Sequence, residues 1–457
     1  MSTLSRIFFL LLGAILALLA GLLLPGLNPE QSLMAGLFTL ALVYWISEPI
    51  PLYVTGILVA FLEALLLGAL AEPLGLEARN YRIFLAPFSS PVVVLLFGGF
   101  VMARVFSKHN LDLELARVVL GRMGNRPSVL LLAFMLLTAV MSMWMSNTAT
   151  TAIMVAAILP LVRRMPEGSN LPKAFLLAIP FAANVGGIAT PVGTPPNAIA
   201  LGLLSENGFS LSFFAWMTAA FPLMLLLLIL IYFLLRLFFP VGSMELDLGI
   251  PEGPRTAHRG LIYTVFLLTV LLWVTDGIHG IPASLIALLP VLLFSASGLL
   301  HKKELRDLGW DILFLVGGGI ALGTGIRETG LADVLLSSLL PSSIPPMVLA
   351  LVLTSTIALL ATFISNSAAA NLMLPLVFTL AGAAPVELMV MVTICASLGM
   401  ALPVSTPPNA IAFGSDLLRV RDMAKVGVLV TVLSVALTLL AGRILFPLLP
   451  FLERGTH

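Results

Sequence analysis

Charge is what this sequence holds least of. Only 10% of its 457 residues are Asp, Glu, Lys or Arg, while 60% are hydrophobic; an ordinary soluble domain carries about 25% charged residues. With a mean hydropathy of +1.11, the chain reads as an all-α polytopic membrane protein set in a lipid bilayer. Cysteine is almost missing. Cys395 stands alone, which excludes an internal disulfide and argues against a cysteine-based metal site. None of the five histidines pairs at metal-ligand spacing. Basic tracts interleaved with aromatics are missing too, so nothing points to nucleic acid. No paired acids, Ser/His couple or metal cluster falls deep in an apolar run, so an enzyme is not expected.

What is there is a series of apolar runs. A spanning helix needs about 20 apolar residues. The runs 7–24, 32–47, 52–71, 89–106, 174–202, 212–239, 260–276, 282–300, 311–326, 386–415 and 427–449 predict eleven spans. Met1–Arg6 with the run after it has the look of a secretory leader. No small-residue cleavage site follows, and Pro25-Gly26 reads as a turn, so 1–28 is taken as a retained leading span. Two further stretches, 128–162 and 344–383, are too long for one span and too short for two with a turn. They predict re-entrant hairpins.

With the N-terminus in the cytoplasm, 18 of the 23 Lys and Arg lie inside; Arg79, Arg82, Arg327, Arg443 and Arg454 lie outside. That is the positive-inside pattern and fits a multi-pass protein of the inner (plasma) membrane. Arg126 and Arg163-Arg164 flank the first hairpin stretch, so it enters and leaves on the cytoplasmic side. The second is expected to enter from outside.

The chain also repeats itself. Ser146-Asn147-Thr148, central in the first hairpin stretch, returns as Ser365-Asn366-Ser367 in the second. Thr190-Pro191-Val192-Gly193-Thr194-Pro195-Pro196-Asn197 returns as Leu402-Pro403-Val404-Ser405-Thr406-Pro407-Pro408-Asn409. Trp45-Ile46-Ser47-Glu48 returns as Trp273-Val274-Thr275-Asp276. Phe97-Gly98-Gly99 returns as Val316-Gly317-Gly318, 219 residues on, the offset that also relates Ser146 to Ser365. The copies, 29–241 and 261–457, each hold five spans and one hairpin, and 242–260 is a polar connector expected in the cytoplasm. Five is odd, so the second copy must be inverted in the membrane. Inverted repeats with broken helices near the midplane mark secondary transporters.

The motifs carry a physical rationale. Irregular backbone inside a bilayer is tolerated only where it lines a cavity or is buried in protein. At a hairpin tip one half-helix ends and another begins. The beginning half-helix offers free N–H groups and a positive dipole end, which suit an anion. Ser, Asn and Thr there can cap the helix or donate to a carboxylate. The carbonyls of the ending half suit a hard cation such as sodium. Pro195-Pro196 and Pro407-Pro408 remove donors and free further carbonyls. A single Ser-Asn-Thr in a membrane helix reads equally well as a helix–helix hydrogen-bonding patch. Two copies of both motifs at matched places favour a site.

The combination resembles the divalent anion/sodium symporter family, the carriers of dicarboxylates, citrate and sulfate. The resemblance covers nearly the whole chain: the Trp-x-Ser/Thr-acidic motif, both Ser-Asn tips and both Thr-Pro-Pro-Asn motifs. It implies a homodimer in which a scaffold of early and middle spans holds a transport domain that moves as an elevator. Carried over by motif, Asn147, Thr148, Ser365, Asn366, Ser367, Thr406 and Pro407 would contact the substrate. One sodium would sit among Ser142, Ser146, Asn147 and Gly193, the other near Ser365, Asn366 and Ser405. Sodium would be co-transported rather than prosthetic. The implied activity is import of a small divalent anion, a C4-dicarboxylate such as succinate.

Two positions depart from that family. Ser367 stands where the second tip usually has Thr. Ala361, with Thr362 one place off, matches Ser142 and removes a hydroxyl from the second sodium site. A sodium-independent dicarboxylate exchanger therefore stays open, as does a cation/proton antiporter with Glu63 as carrier. Glu63, deep in the run FLEALLLGAL, otherwise makes an interhelical or dimer-interface hydrogen bond. Glu48 and Asp276 are expected to cap broken backbone, and Arg104 and Arg327 to snorkel. A channel is disfavoured, because tips entering from opposite sides close a central site rather than line a pore.

Overall fold

The structure, a computed structural model, describes residues 3–122, 124–163, 165, 169–240, 258–334, 344–381 and 385–449. Most of the connector 242–260, the end of the second hairpin stretch and the C-terminal residues from 450 lie outside the described residues. What is described is helical, with no strand. Among the described residues, seven helices are long and apolar enough to cross a membrane by themselves, from Thr3–Leu23 to Val420–Leu448. Phe213–Phe238 shows how they are built. Leu225, Leu226, Ile229, Phe233 and Leu237 form an exposed stripe, while Leu227, Leu228, Ile231 and Leu235 are buried. An apolar stripe left exposed at helical spacing is a lipid-facing surface.

Both hairpin stretches are helix–turn–helix. The first runs Pro127–Ser142 and Asn147–Val162, the second Pro346–Phe363 and Asn366–Leu380. The two longest predicted spans, however, are not continuous. The stretch 174–202 is Leu171–Gly187 followed by Pro195–Glu206, and 386–415 is Pro385–Ser397 followed by Pro407–Phe413. In each, an extended threonine, Thr194 or Thr406, precedes two prolines in the first turn of the new helix. Proline is favoured at a helix start and cannot donate within one, so the double proline restarts the helix instead of kinking it.

The two halves interlock. Pro195–Glu206 packs on the returning arm of the second hairpin, and Pro407–Phe413 packs on the returning arm of the first. The hairpins and broken helices thus form one body. Leu52–Glu63, extended by the π-helical turn Ala64–Ala69, packs instead on Trp310–Glu328. Their backbones nearly touch: a Cβ on Gly56 would lie 3.1 Å from Gly318 Cα. Trp310–Glu328 also meets Pro195–Glu206 and the second hairpin, so it joins that body to the helices around it.

The ion pairs among the described residues fall into two groups. Arg104–Asp307, Lys108–Glu304, Lys173–Asp422 and Arg259–Glu114 join segments assigned to the cytoplasmic side, while Arg79–Glu30 and Arg327–Glu328 lie in segments assigned outside. Arg104 and Arg327, expected to snorkel, also clasp segments distant in the chain. Arg104 pairs with Asp307 at 2.8 Å. Arg327 donates to Glu206 O at 2.9 Å and Asn207 Oδ1 at 3.0 Å.

Asp276 does cap backbone, accepting from Phe213 N–H at 2.7 Å. Glu48 differs: its side chain is exposed, and its left-handed backbone (φ 47°) ends the helix through N–H to Tyr44 O. The repeated tryptophans play one role twice. Trp45 Nε1 donates to Leu52 O at 3.0 Å and Trp273 Nε1 to Ala283 O at 2.9 Å. Glu63 overturns the expected interhelical or interface hydrogen bond. It is fully buried beside Gly325 and Met34, and neither carboxyl oxygen has a partner among the described residues.

Candidate functional site

Each tip begins a helix with an idle serine. Ser146 and Ser365 sit at the N-caps of Asn147–Val162 and Asn366–Leu380, yet neither side chain caps its helix. Ser212, at an ordinary helix start, does so by accepting from Ala215 N–H. The first helical bonds are Thr150 N–H to Ser146 O and Ala369 N–H to Ser365 O. The amides of Asn147, Thr148 and Ala149, and of Asn366, Ser367 and Ala368, precede them. Among the described residues, each tip therefore presents a helix N-terminus with its serine hydroxyl uncommitted. Thr148 is exposed, and Ser146, Asn147, Ser365, Asn366 and Ser367 are half-buried, as a lining would be. The tip motifs carry no Lys or Arg, so the positive ends of helices are their source of positive potential.

The carbonyl side of each tip is held by the broken helix beside it. Thr190 Oγ1 donates to Met143 O, and Ser405 Oγ donates to Thr362 O at 2.6 Å. Met143 and Thr362 are 219 residues apart, so these carbonyls occupy matching places. The breaks are tied by matching asparagines. Asn197 Nδ2 donates to Thr190 O at 2.8 Å and Ile188 O at 3.3 Å, and also to Gly187 O. Asn409 Nδ2 donates to Leu402 O and Met400 O, both at 2.9 Å.

Among the residues assigned to the first sodium, the structure joins most. Ser142 Oγ donates to Asn147 Oδ1 at 2.6 Å. Gly187 lies against the Asn147 side chain, where a Cβ would come within 2.6 Å of Oδ1, and Gly193 lies against Gly187. The second set is looser. Asn366 Oδ1 is buried with no hydrogen-bond partner. Ala361 has no hydroxyl to give it, and Thr362 Oγ1 turns back to Ala358 O at 2.9 Å. Thr406 is buried and Pro407 exposed. Among the described residues no hydrogen bond runs directly from one Ser-Asn tip to the other.

Asn184, which no sequence motif marks, links the two broken helices. Its Nδ2 reaches Thr406 Oγ1 at 3.1 Å and Asn409 Oδ1 at 3.4 Å. A lone amide in the apolar run FAANVGG was the available signal. Trp144 was also missed. It stacks on Phe213 (6.1 Å, 5°), which stacks on Trp273 (4.9 Å, 13°), fixing the first tip against two helices outside the hairpin.

A helical membrane protein with two hairpins set against two broken helices has the build of a secondary transporter. The family follows from comparison with known proteins. The profile of the sodium:sulfate symporter transmembrane region matches residues 5–452, and the chain belongs to that family. It is 32% identical to the sodium-dependent dicarboxylate transporter SdcS of Staphylococcus saprophyticus, over 96% of this chain and 91% of that protein. It is 32% identical to the sodium-dependent high-affinity dicarboxylate transporter 3 of Caenorhabditis elegans, over 91% of this chain and 83% of that one. In structure it is similar to the YdaH transporter of Alcanivorax borkumensis, with a TM-score of 0.57 and 15% identity over 85% of this chain and 97% of that one; this likeness speaks to the fold alone. The chain is a multi-pass membrane transporter and not an enzyme.

Proposed function

We propose that this protein imports a small divalent anion, a C4-dicarboxylate such as succinate, together with sodium. The observation that carries the reading is the pair of uncapped tips. Each sets a helix N-terminus beside backbone carbonyl and side-chain amide oxygens, so an anion and a cation find ligands side by side. With no basic side chain in the tip motifs, co-bound sodium supplies the charge that a dianion needs. Asn147, Thr148, Ser365, Asn366, Ser367, Thr406 and Pro407 would contact the anion. Ser142, Ser146, Asn147 and Gly193 would hold one sodium; Ser365, Asn366 and Ser405 would hold the other. That relatives bear the name sodium-dependent dicarboxylate transporter supports this assignment.

The two copies, 29–241 and 261–457, are read as an inverted repeat, on the recurrence of the tryptophan, asparagine and tip-carbonyl hydrogen bonds. The interlocked hairpins and broken helices would move as an elevator against the remaining helices, in a homodimer of the plasma membrane with a cytoplasmic N-terminus. Ala361, which withholds a hydroxyl from the second sodium site, favours one second reading, a dicarboxylate exchanger that needs no sodium. Counterflow of labelled succinate in proteoliposomes, with sodium or with choline in its place, tests both. Uptake only with sodium supports the symporter, equal exchange in choline supports the exchanger, and no succinate movement in either sinks both.

A further inference from the structure

Amide orientation is ambiguous when an asparagine stands alone, but here each one is fixed by the next. Asn409 faces two backbone carbonyls, Met400 O and Leu402 O, each at 2.9 Å. Carbonyls only accept, so Asn409 must turn its NH2 toward them and its Oδ1 the other way. That Oδ1 meets Asn184 at 3.4 Å, so Asn184 must present its own NH2. The same NH2 lies 3.1 Å from Thr406 Oγ1, which also accepts from Asn409 N–H at 3.3 Å. Asn184, Asn409 and Thr406 are 1%, 0% and 3% exposed, so all three are shielded from bulk solvent. A hydroxyl has two acceptor positions and one proton. Both acceptor positions of Thr406 are filled, and among the described residues nothing takes its proton.

The first half lacks this arrangement. Asn197 makes the same bonds to Ile188 O and Thr190 O. The place matching Asn184 is Ala396, 212 residues on, the offset that relates Asn197 to Asn409. Asn197 Oδ1 is accordingly buried without a partner, and the Thr194 side chain caps nothing. Chemistry is therefore imposed on one of the two matched threonines and not on the other.

We propose that Asn184 is a positioning residue that fixes Thr406 as a hydrogen-bond donor, so that the second half of the site selects a ligand with an acceptor oxygen, such as a carboxylate. The proposal rests on the anion-carrier reading above. Its test is equilibrium binding of succinate, and separately of sulfate, to the purified full chain in detergent at saturating sodium. Asn184→Ala should weaken binding about fivefold and Thr406→Ala about tenfold or more. The double variant should be no worse than Thr406→Ala alone.

Asn184→Asp supplies a readout that a merely structural role would not move. While the new carboxyl is protonated it can donate to Thr406. Once ionised it accepts the Thr406 proton, so affinity relative to wild type should fall as pH rises. Melting temperature measured without ligand controls for folding. Fully additive losses, or a pH-independent ratio for Asn184→Asp, overturn the proposal while leaving the carrier reading intact. A wild-type protein that binds neither anion overturns the carrier reading, and the proposal with it.

Discussion

Ser142→Ala and Ala361→Ser form a reciprocal pair, one removing from the first tip what the other adds to the second. In the first tip the Ser142 hydroxyl holds Asn147 Oδ1 at 2.6 Å. In the second, Asn366 Oδ1 is buried and unpartnered. Leaving a buried acceptor unsatisfied costs about 1–3 kcal/mol, and 1.4 kcal/mol is about tenfold in an equilibrium constant. Ser142→Ala also deletes an oxygen that a cation could use. Part of the cost falls on the sodium-free state, so half-saturating sodium should rise about five- to tenfold. Ala361→Ser adds one hydrogen bond, about 0.5–1.5 kcal/mol, and should lower half-saturating sodium about two- to tenfold. The assay is calorimetric succinate binding across a sodium titration, with choline holding ionic strength constant. Because linkage is reciprocal, sodium should raise succinate affinity by the factor that succinate raises sodium affinity. Half-saturating sodium within twofold of wild type in Ser142→Ala would refute the assigned first site. Wild-type succinate binding that is unchanged from zero to saturating sodium would refute the symporter and leave the exchanger.

Asn147→Ala and Asn366→Ala should each abolish succinate uptake while surface labelling shows normal amounts in the membrane; normal transport by either would remove the two-tip site. A reporter inserted at Leu248 should read as cytoplasmic and one fused at the C-terminus as external, and both on one side would end the eleven-span topology. The Lys108 ion pair, then the His301 N–H, hold the Glu304 carboxyl down to about 2. A carboxyl depressed by folding stabilises above its unfolded value near 4.5 and loses that contribution as pH falls toward 2. The melting-temperature gap between wild type and Lys108→Met should accordingly be full at pH 6 and shrink below pH 4.5; a gap constant over that range would show that the pair is not its cause.

Chain-local features were legible from the start. Apolar length located the membrane helices, and both over-long stretches are hairpins with Ser-Asn at the turn. Those features depend on hydrophobic length and on small polar residues within a few positions of one another. The double prolines mark where each helix restarts, yet the stretches around them read as single spans, because no charged residue interrupts residues 188–194 or 398–406.

Local sequence left open what each side chain would face. Arg104 meets Asp307 and Asn184 meets Thr406 only because helices more than 200 residues apart in the chain pack together. Glu63 was expected to find a partner, and the packing of Leu52–Glu63 on Trp310–Glu328 and on Pro29–Ser47 sets it beside Gly325 and Met34 instead. The repeat pointed to two equivalent halves. The hydrogen bonds make them unequal, through Ser142 against Ala361 in the tips and Asn184 against Ala396 beside the breaks. Hydrophobic length and helix-breaking residues act within one or two turns, so the sequence alone determined the helices and their interruptions. Hydrogen-bond polarity depends on which surfaces meet across the membrane, and only the tertiary structure decided that.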